Sequence, residues 1–187
     1  MGDKALLSTE EASGAEKAEL LIVIPAYNEA ENIERVVNHL TANFPQYDYV
    51  VVNDGSRDET AAICQRNGYN LLNLPVNLGL AGAFQAGLKY ADKYGYQYAV
   101  QLDGDGQHRP EYLESMIKKM EEGYDIVIGS RFVGEKKPFT MRMLGSNLIE
   151  MAIRFTTGVN IKDPTSGMRM FSKRMIREFA SGLNYGP

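Results

Sequence analysis

The amino-acid sequence predicts an α/β domain built on a mainly parallel β-sheet with helices on both faces. Three observations predict it. Short apolar runs of strand length alternate with segments of helical period, the pattern of repeated βαβ units. Each apolar run stops at turn-forming residues. Beyond the ends of three runs stand Asn28-Glu29, Asp54 and Asp103/Asp105, and in an open parallel sheet that carboxyl edge is where ligands bind.

The elements follow in order. Leu20–Ile24 is a continuous apolar strand stopped by Pro25, and Ile33, Val36, Val37 and Leu40 then recur at i, i+3, i+4, i+7 as one buried helix face. Tyr49–Val52 is the second strand, ending at Asn53-Asp54-Gly55-Ser56, and Tyr69–Leu74 the third, ending at Pro75-Val76-Asn77. A helix from Leu80 to Tyr94 precedes the fourth strand, Tyr98–Leu102, which runs into Asp103-Gly104-Asp105-Gly106. Pro110 opens the next helix, since its fixed φ suits a first helical turn, and Tyr112, Leu113, Met116, Ile117 and Met120 form its apolar stripe. Asp125–Ile128 is a fifth strand, followed by a long loop from Gly129-Ser130-Arg131. An amphipathic helix from Met141 to Phe155 and a short strand and helix around Met168–Phe179 complete the pattern.

Composition narrows the class. The 187 residues are 44% hydrophobic and 24% charged, which fits one globular domain with a real core. Residues 1–19, acidic and without strand pattern, read as a flexible extension before a domain of residues 20–187. The net charge of -4 argues against nucleic acid as the main partner, because that affinity rests on clustered Lys and Arg. Cys64 is the only cysteine, which excludes an internal disulfide and points to a reducing compartment such as the cytoplasm. No apolar run reaches the roughly 18 residues of a membrane span.

Several residues offer chemistry, each beside a plainer role. Asp103-Gly104-Asp105 places two carboxylates on a tight turn after a buried strand, and such hard oxygen donors suit Mg²⁺ or Mn²⁺. Asp-Gly is also ordinary turn chemistry. If the segment is extended, Asp103, Asp105 and Gln107 alternate to one side as three oxygen donors. Asn28 and Glu29 offer an amide and a carboxylate beside Tyr27, and both are also helix-capping residues. Neither G-x-x-x-x-G-K-[ST] nor a G-x-G-x-x-G after the first strand occurs, so a P-loop or dinucleotide enzyme is not supported. His39 reads as structural, and His108 as a neighbour of the acidic turn and not a ligand.

The segments LIVIPAYNEAENIERVV, VVNDGSRDET, NLGLAGAFQAGL, VQLDGDGQH and DIVIGSRF, in this order and spacing, resemble family 2 glycosyltransferases. Gln107-His108, Gly129-Ser130-Arg131 and Asp163-Pro164-Thr165-Ser166-Gly167-Met168-Arg169 resemble the dolichol- or polyprenyl-phosphate sugar synthase branch. The similarity runs from about Leu20 to Phe171. It implies a GT-A, nucleotide-diphospho-sugar transferase architecture of Rossmann-like type, and a metal-dependent, inverting transfer of a hexose from a UDP- or GDP-sugar. Pro25, Ala26, Tyr27, Asn28 and Glu29 match the positions that hold nucleobase and ribose, and Asp54 the acidic contact to the base. Asn77, Gly79 and Gly82 match the loop and helix start beneath the sugar nucleotide, where absent side chains and amide donors suit phosphate.

The same resemblance makes Asp103, Asp105 and Gln107 the holders of Mg²⁺ or Mn²⁺, with Asp105 catalytic through that ion. Ser130, Arg131, Ser166 and Arg169 match the groups that hold an acceptor phosphate, a task for which guanidinium forks are well shaped. Arg131 would thereby be catalytic. Asp163 is the carboxylate available as general base, needed by a hydroxyl acceptor and hardly by a phosphate. Relatives continue with further strands and helices, some with membrane spans, so residues 20–187 are expected to be truncated at the C-terminus. The expected partners are a nucleotide-diphosphate sugar and a polyprenyl-phosphate lipid, with a cytoplasmic location at the inner face of the membrane. Met141, Leu144, Leu148, Met151, Ala152 and Phe155 share one helix face, which either packs in the core or touches a bilayer peripherally. Three alternatives stand beside this one. They are transfer to a saccharide hydroxyl, a nucleotide-binding module without turnover, and a nucleotidyltransferase of similar fold, whose glycine-rich basic loop after the first strand is lacking.

Overall fold

The computed structural model describes residues 19–104, 110–129 and 168–182. Its elements are β1 (Leu20–Ala26), α1 (Ile33–Asn43), β2 (Asp48–Asp54), α2 (Thr60–Arg66), β3 (Leu71–Leu74), α3 (Gly79–Tyr94), β4 (Tyr98–Gln101), a 3₁₀ turn (Pro110–Tyr112), α4 (Leu113–Glu121), β5 (Ile126–Ile128), β6 (Arg169–Ser172) and α5 (Lys173–Gly182). The strands form one sheet in the order β3-β2-β1-β4-β6-β5. The first four are mutually parallel, and β6 runs antiparallel between β4 and β5. The expected mainly parallel α/β architecture is the one observed.

Strand β1 is central, and its alternation distributes the core to both sides. Leu20, Ile22 and Ile24 pack with Val37 of α1, Cys64 of α2 and Met116 of α4, while Leu21 and Val23 pack with Ala83 and Leu88 of α3 and Ile176 of α5. Helices therefore cover both faces. The path from β1 through α1 to β2 crosses the sheet in one direction, and that from β3 through α3 to β4 crosses it in the other. A constant hand of crossover puts α1 and α3 on opposite faces. The direction of crossover thus reverses between the neighbouring strands β1 and β4, and in such sheets ligands bind outside the carboxyl ends of the strands at that point.

Element bounds differ from expectation for identifiable reasons. Pro25 does not stop β1 but lies within it, paired in register with Val52. Alternate residues of a strand direct their backbone groups to the same neighbour, and Leu102 N–H bonds Val23 O on the β4 side. Pro25 therefore points its missing donor toward β4, whose register with β1 ends at Val23 and Gln101. Helix α2 has no counterpart among the expected elements because only Thr60, Ile63 and Cys64 of its seven residues are buried, too narrow a stripe to read as a period. It ends at Gly68, φ 67°, with Tyr69 N–H bonded to Cys64 O, so Tyr69 closes the helix and the third strand starts later, at Leu71. The Met141–Phe155 helix lies outside the described residues.

Candidate functional site

A cleft of about 450 Å³ opens at the carboxyl ends of β1 to β4. Residues at the ends of β1 and β2 and just after β1, β3 and β4 line it, among them Pro25, Ala26, Tyr27, Glu29, Asp54, Asn77, Gly79 and Asp103. Eight of the ten positions expected for the nucleotide-sugar are thus brought together from segments up to 78 residues apart. Its volume is in the range of small-molecule sites, and its lining sets a few polar groups among apolar ones.

Each wall has a structural cause. Tyr27 stands 43% exposed at the mouth, an aromatic face open to stacking. Asp54 is only 3% exposed, and its Oδ1 accepts the Leu78 N–H at 2.7 Å, fixing the loop after β3 against the end of β2. Gly55, φ 66°, allows that loop to approach, because a Cβ there would lie 2.7 Å from the backbone of Val76 and Asn77. Asn77 Oδ1 accepts the Gly79 N–H at 3.1 Å, which sets the entry to α3. Leu80 and Ala83 of α3 also line the cleft, apolar contributors whose role was invisible in a search for polar groups.

Two expected positions lie elsewhere. Asn28, a left-handed residue with φ 56°, uses Oδ1 to accept the Arg57 N–H at 2.8 Å and so joins two loops. Gly82 packs on Leu78, where a Cβ would come 2.5 Å from the Leu78 Cβ. The capping role open to Asn28 and Glu29 is also absent. Helix α1 starts after Asn32 without a side-chain cap, and it is the Glu29 backbone carbonyl that takes the Asn32 and Ile33 N–H groups.

Asp103 is half-buried, and its Oδ1 accepts the Gln101 Nε2 at 2.9 Å. Gln101, 6% exposed, is a supporting residue the expectations missed. The spacing held the signal, since residues i and i+2 of an extended segment share a side. Glu29, Asp54 and Asp103 give the lining three carboxylates, and no Lys or Arg stands among the described residues that line it. A diphosphate is repelled by such a wall unless a cation intervenes, and the donors are hard oxygens suited to Mg²⁺ or Mn²⁺. Among the described residues no cluster of three or more His, Cys, Asp or Glu forms a metal site by itself. Asp105, Gln107, His108, Ser130, Arg131, Asp163 and Ser166 lie outside the described residues. Arg169 opens β6 opposite Ile128, at the same sheet edge as the cleft. His39 is on α1, with Nδ1 3.1 Å from Asn43 Nδ2, and does not line the cleft.

Known proteins resemble this chain in both sequence and fold. It is 32% identical over 167 residues to a polyprenol monophosphomannose synthase of Mycolicibacterium smegmatis, covering 84% of this chain and 63% of that protein. It is 32% identical over 186 residues to a UDP-N-acetylglucosamine--dolichyl-phosphate N-acetylglucosaminyltransferase of Methanococcus voltae, covering 88% of this chain and 73% of that one. The fold matches glucosyl-3-phosphoglycerate synthase from Mycobacterium tuberculosis, solved with Mn²⁺ and UDP-glucose. The TM-score is 0.65 at 20% identity, over 83% of this chain and 56% of the other. The sequence profile of Glycosyl transferase family 2 matches residues 21–180, and this chain belongs to that family.

Proposed function

We propose that this domain is a metal-dependent, inverting hexosyltransferase that uses a UDP- or GDP-sugar as donor and a polyprenyl phosphate as acceptor. One observation carries the donor half. The cleft joins an aromatic ring, three carboxylates and the glycine start of α3 at the carboxyl edge of the sheet, where a nucleoside diphosphate finds a stacking surface, base acceptors and backbone amides. Tyr27 and Asp54 hold the base, and Gly79 admits the diphosphate close to the backbone. Asp103, with Asp105 and Gln107, would hold Mg²⁺ or Mn²⁺, which when bound offsets charge on the departing diphosphate.

The acceptor half is supported by the relatives. The two named above act on polyprenol-type phosphates yet differ in their sugar, mannose in one and N-acetylglucosamine in the other. A phosphate acceptor is already an anion, so it attacks without a strong general base, and direct displacement inverts the anomeric centre. Ser130, Arg131, Ser166 and Arg169 hold that phosphate, and Asp163 has a minor role with such an acceptor.

The test is transfer of labelled sugar from UDP- and GDP-sugars to a short-chain polyprenyl phosphate in Mn²⁺, alongside thermal-shift measurements with each nucleoside diphosphate. Metal-dependent stabilisation by one nucleotide and transfer to the lipid are expected. Efficient transfer to a soluble saccharide and none to the lipid overturns the acceptor assignment. Absence of any nucleotide effect overturns the donor assignment.

A further inference from the structure

The loop after β1, which carries Tyr27 and Glu29 into the cleft, meets its own helix through the Glu29 carbonyl, which takes the Asn32 and Ile33 N–H groups, but its amides are held from elsewhere. Three consecutive amides of this loop donate to side chains of the loop after β2 and of the first residue of α2. Asn28 N–H bonds Ser56 Oγ at 3.0 Å, Glu29 N–H bonds Thr60 Oγ1 at 2.9 Å, and Ala30 N–H bonds Asp58 Oδ2 at 3.0 Å. Asn28 Oδ1 returns the contact by accepting the Arg57 N–H at 2.8 Å. The acceptors are themselves fixed. Asp58 Oδ1 takes both the Thr60 N–H at 3.0 Å and the Thr60 hydroxyl at 2.5 Å, and Thr60 is fully buried at the start of α2. Asn28 sits in the left-handed region, φ 56°, a conformation that a free loop rarely keeps and that its two cross-loop bonds hold.

We infer that Ser56, Asp58 and Thr60 are a template that sets the backbone of residues 27–30, and that they are positioning residues for donor binding because Tyr27 and Glu29 meet the nucleotide only in that conformation. The inference rests on the reading of the cleft as the donor site. None of the three template side chains lines the cleft. Their effect is pre-organisation: a loop already ordered loses less entropy when the nucleotide binds. The Asp58 carboxyl reflects the same arrangement. Burial pushes its pKa up, and the hydrogen bonds from the Thr60 hydroxyl, the Thr60 N–H and the Ala30 N–H outweigh that and hold it below the ordinary carboxylate value.

Thr60→Val keeps shape and burial but removes the hydroxyl, so it removes the acceptor for Glu29 N–H and the donor to Asp58. Thr60→Ser restores both. Amide hydrogen exchange reads the template directly, and calorimetry with UDP and with GDP in Mn²⁺ reads its consequence. In the parent the amides of residues 28–30 exchange slowly. In Thr60→Val they exchange about tenfold faster or more while those of β1 stay protected, and nucleotide affinity falls about tenfold, the worth of one charge-linked hydrogen bond. Thr60→Ser returns both to parent values. Unprotected amides in the parent, or lost protection with unchanged affinity, would overturn the inference. If the amides respond as expected and the parent binds neither nucleotide, the template stands and the donor assignment falls.

Discussion

Gly55→Ala probes the closest backbone approach in the cleft wall. Gly55 has φ 66°, and a Cβ there would lie 2.7 Å from Val76 C and 2.7 Å from Asn77 N. Alanine in the left-handed region costs about 1–2 kcal/mol. The contact is with backbone and not with the end of a flexible side chain, so relief requires the loop after β3 to move, at a further cost of about 1–3 kcal/mol. That movement also stretches the 2.7 Å bond from Leu78 N–H to Asp54 Oδ1 and displaces Asn77 and Gly79 from the cleft. Gly68→Ala is the control. Its φ is 67°, yet nothing lies within 4 Å of its Cβ position, so it bears the conformational cost alone. Thermal unfolding should therefore show a Tm loss for Gly55→Ala clearly larger than that for Gly68→Ala, the two differing by about 1–3 kcal/mol. At about 2–4 °C per kcal/mol for a domain of this size, that separation is measurable. Calorimetry on the folded proteins should show weaker nucleotide binding for Gly55→Ala only. Equal Tm losses, or an unchanged affinity in Gly55→Ala, would refute the argument that this glycine exists for the close approach.

Asp54→Asn and Asp103→Asn should separate the base from the metal. Each amide oxygen still accepts the bond from Leu78 N–H or from Gln101, so the walls stay in place while the charge is removed. Asp54→Asn should weaken nucleotide binding about tenfold or more with or without Mn²⁺. Asp103→Asn should weaken it only with Mn²⁺, and a loss independent of metal would move Asp103 to the base side. Tyr96 supplies a pH signature. Burial and its 2.8 Å bond to Asp48 Oδ2 push its phenol far above the ordinary value of about 10. The fold favours the neutral phenol, so this contribution is complete below about pH 10 and is lost as pH rises above it, where the unfolded chain ionises first. Ultraviolet titration of the parent and Tyr96→Phe should give matching tyrosinate absorbance until the parent unfolds in alkali. A Tyr96 signal at ordinary pH values would contradict the buried bond.

The alternation of apolar runs and helical stripes was sufficient to place the strands and most helices, because it is a local property of the chain. It also put Tyr27, Glu29, Asp54, Asn77, Gly79 and Asp103 at strand ends, and a parallel sheet necessarily gathers strand ends on one edge. The rest depended on pairings between distant segments. The antiparallel entry of β6 between β4 and β5 could not be read from its residues, since a buried apolar strand looks the same in either direction. Pro25 continues β1 because β4 has already ended beside it, a fact about the neighbour and not about proline. The bond between Asn28 and Arg57, 29 positions apart, had no local sign, and neither did the hold of Ser56, Asp58 and Thr60 on the loop after β1, of which only Ser56 was legible, as part of a turn. Side chains at loop tips find their partners only once the order of strands is settled, and that order is decided by the packing of the whole sheet.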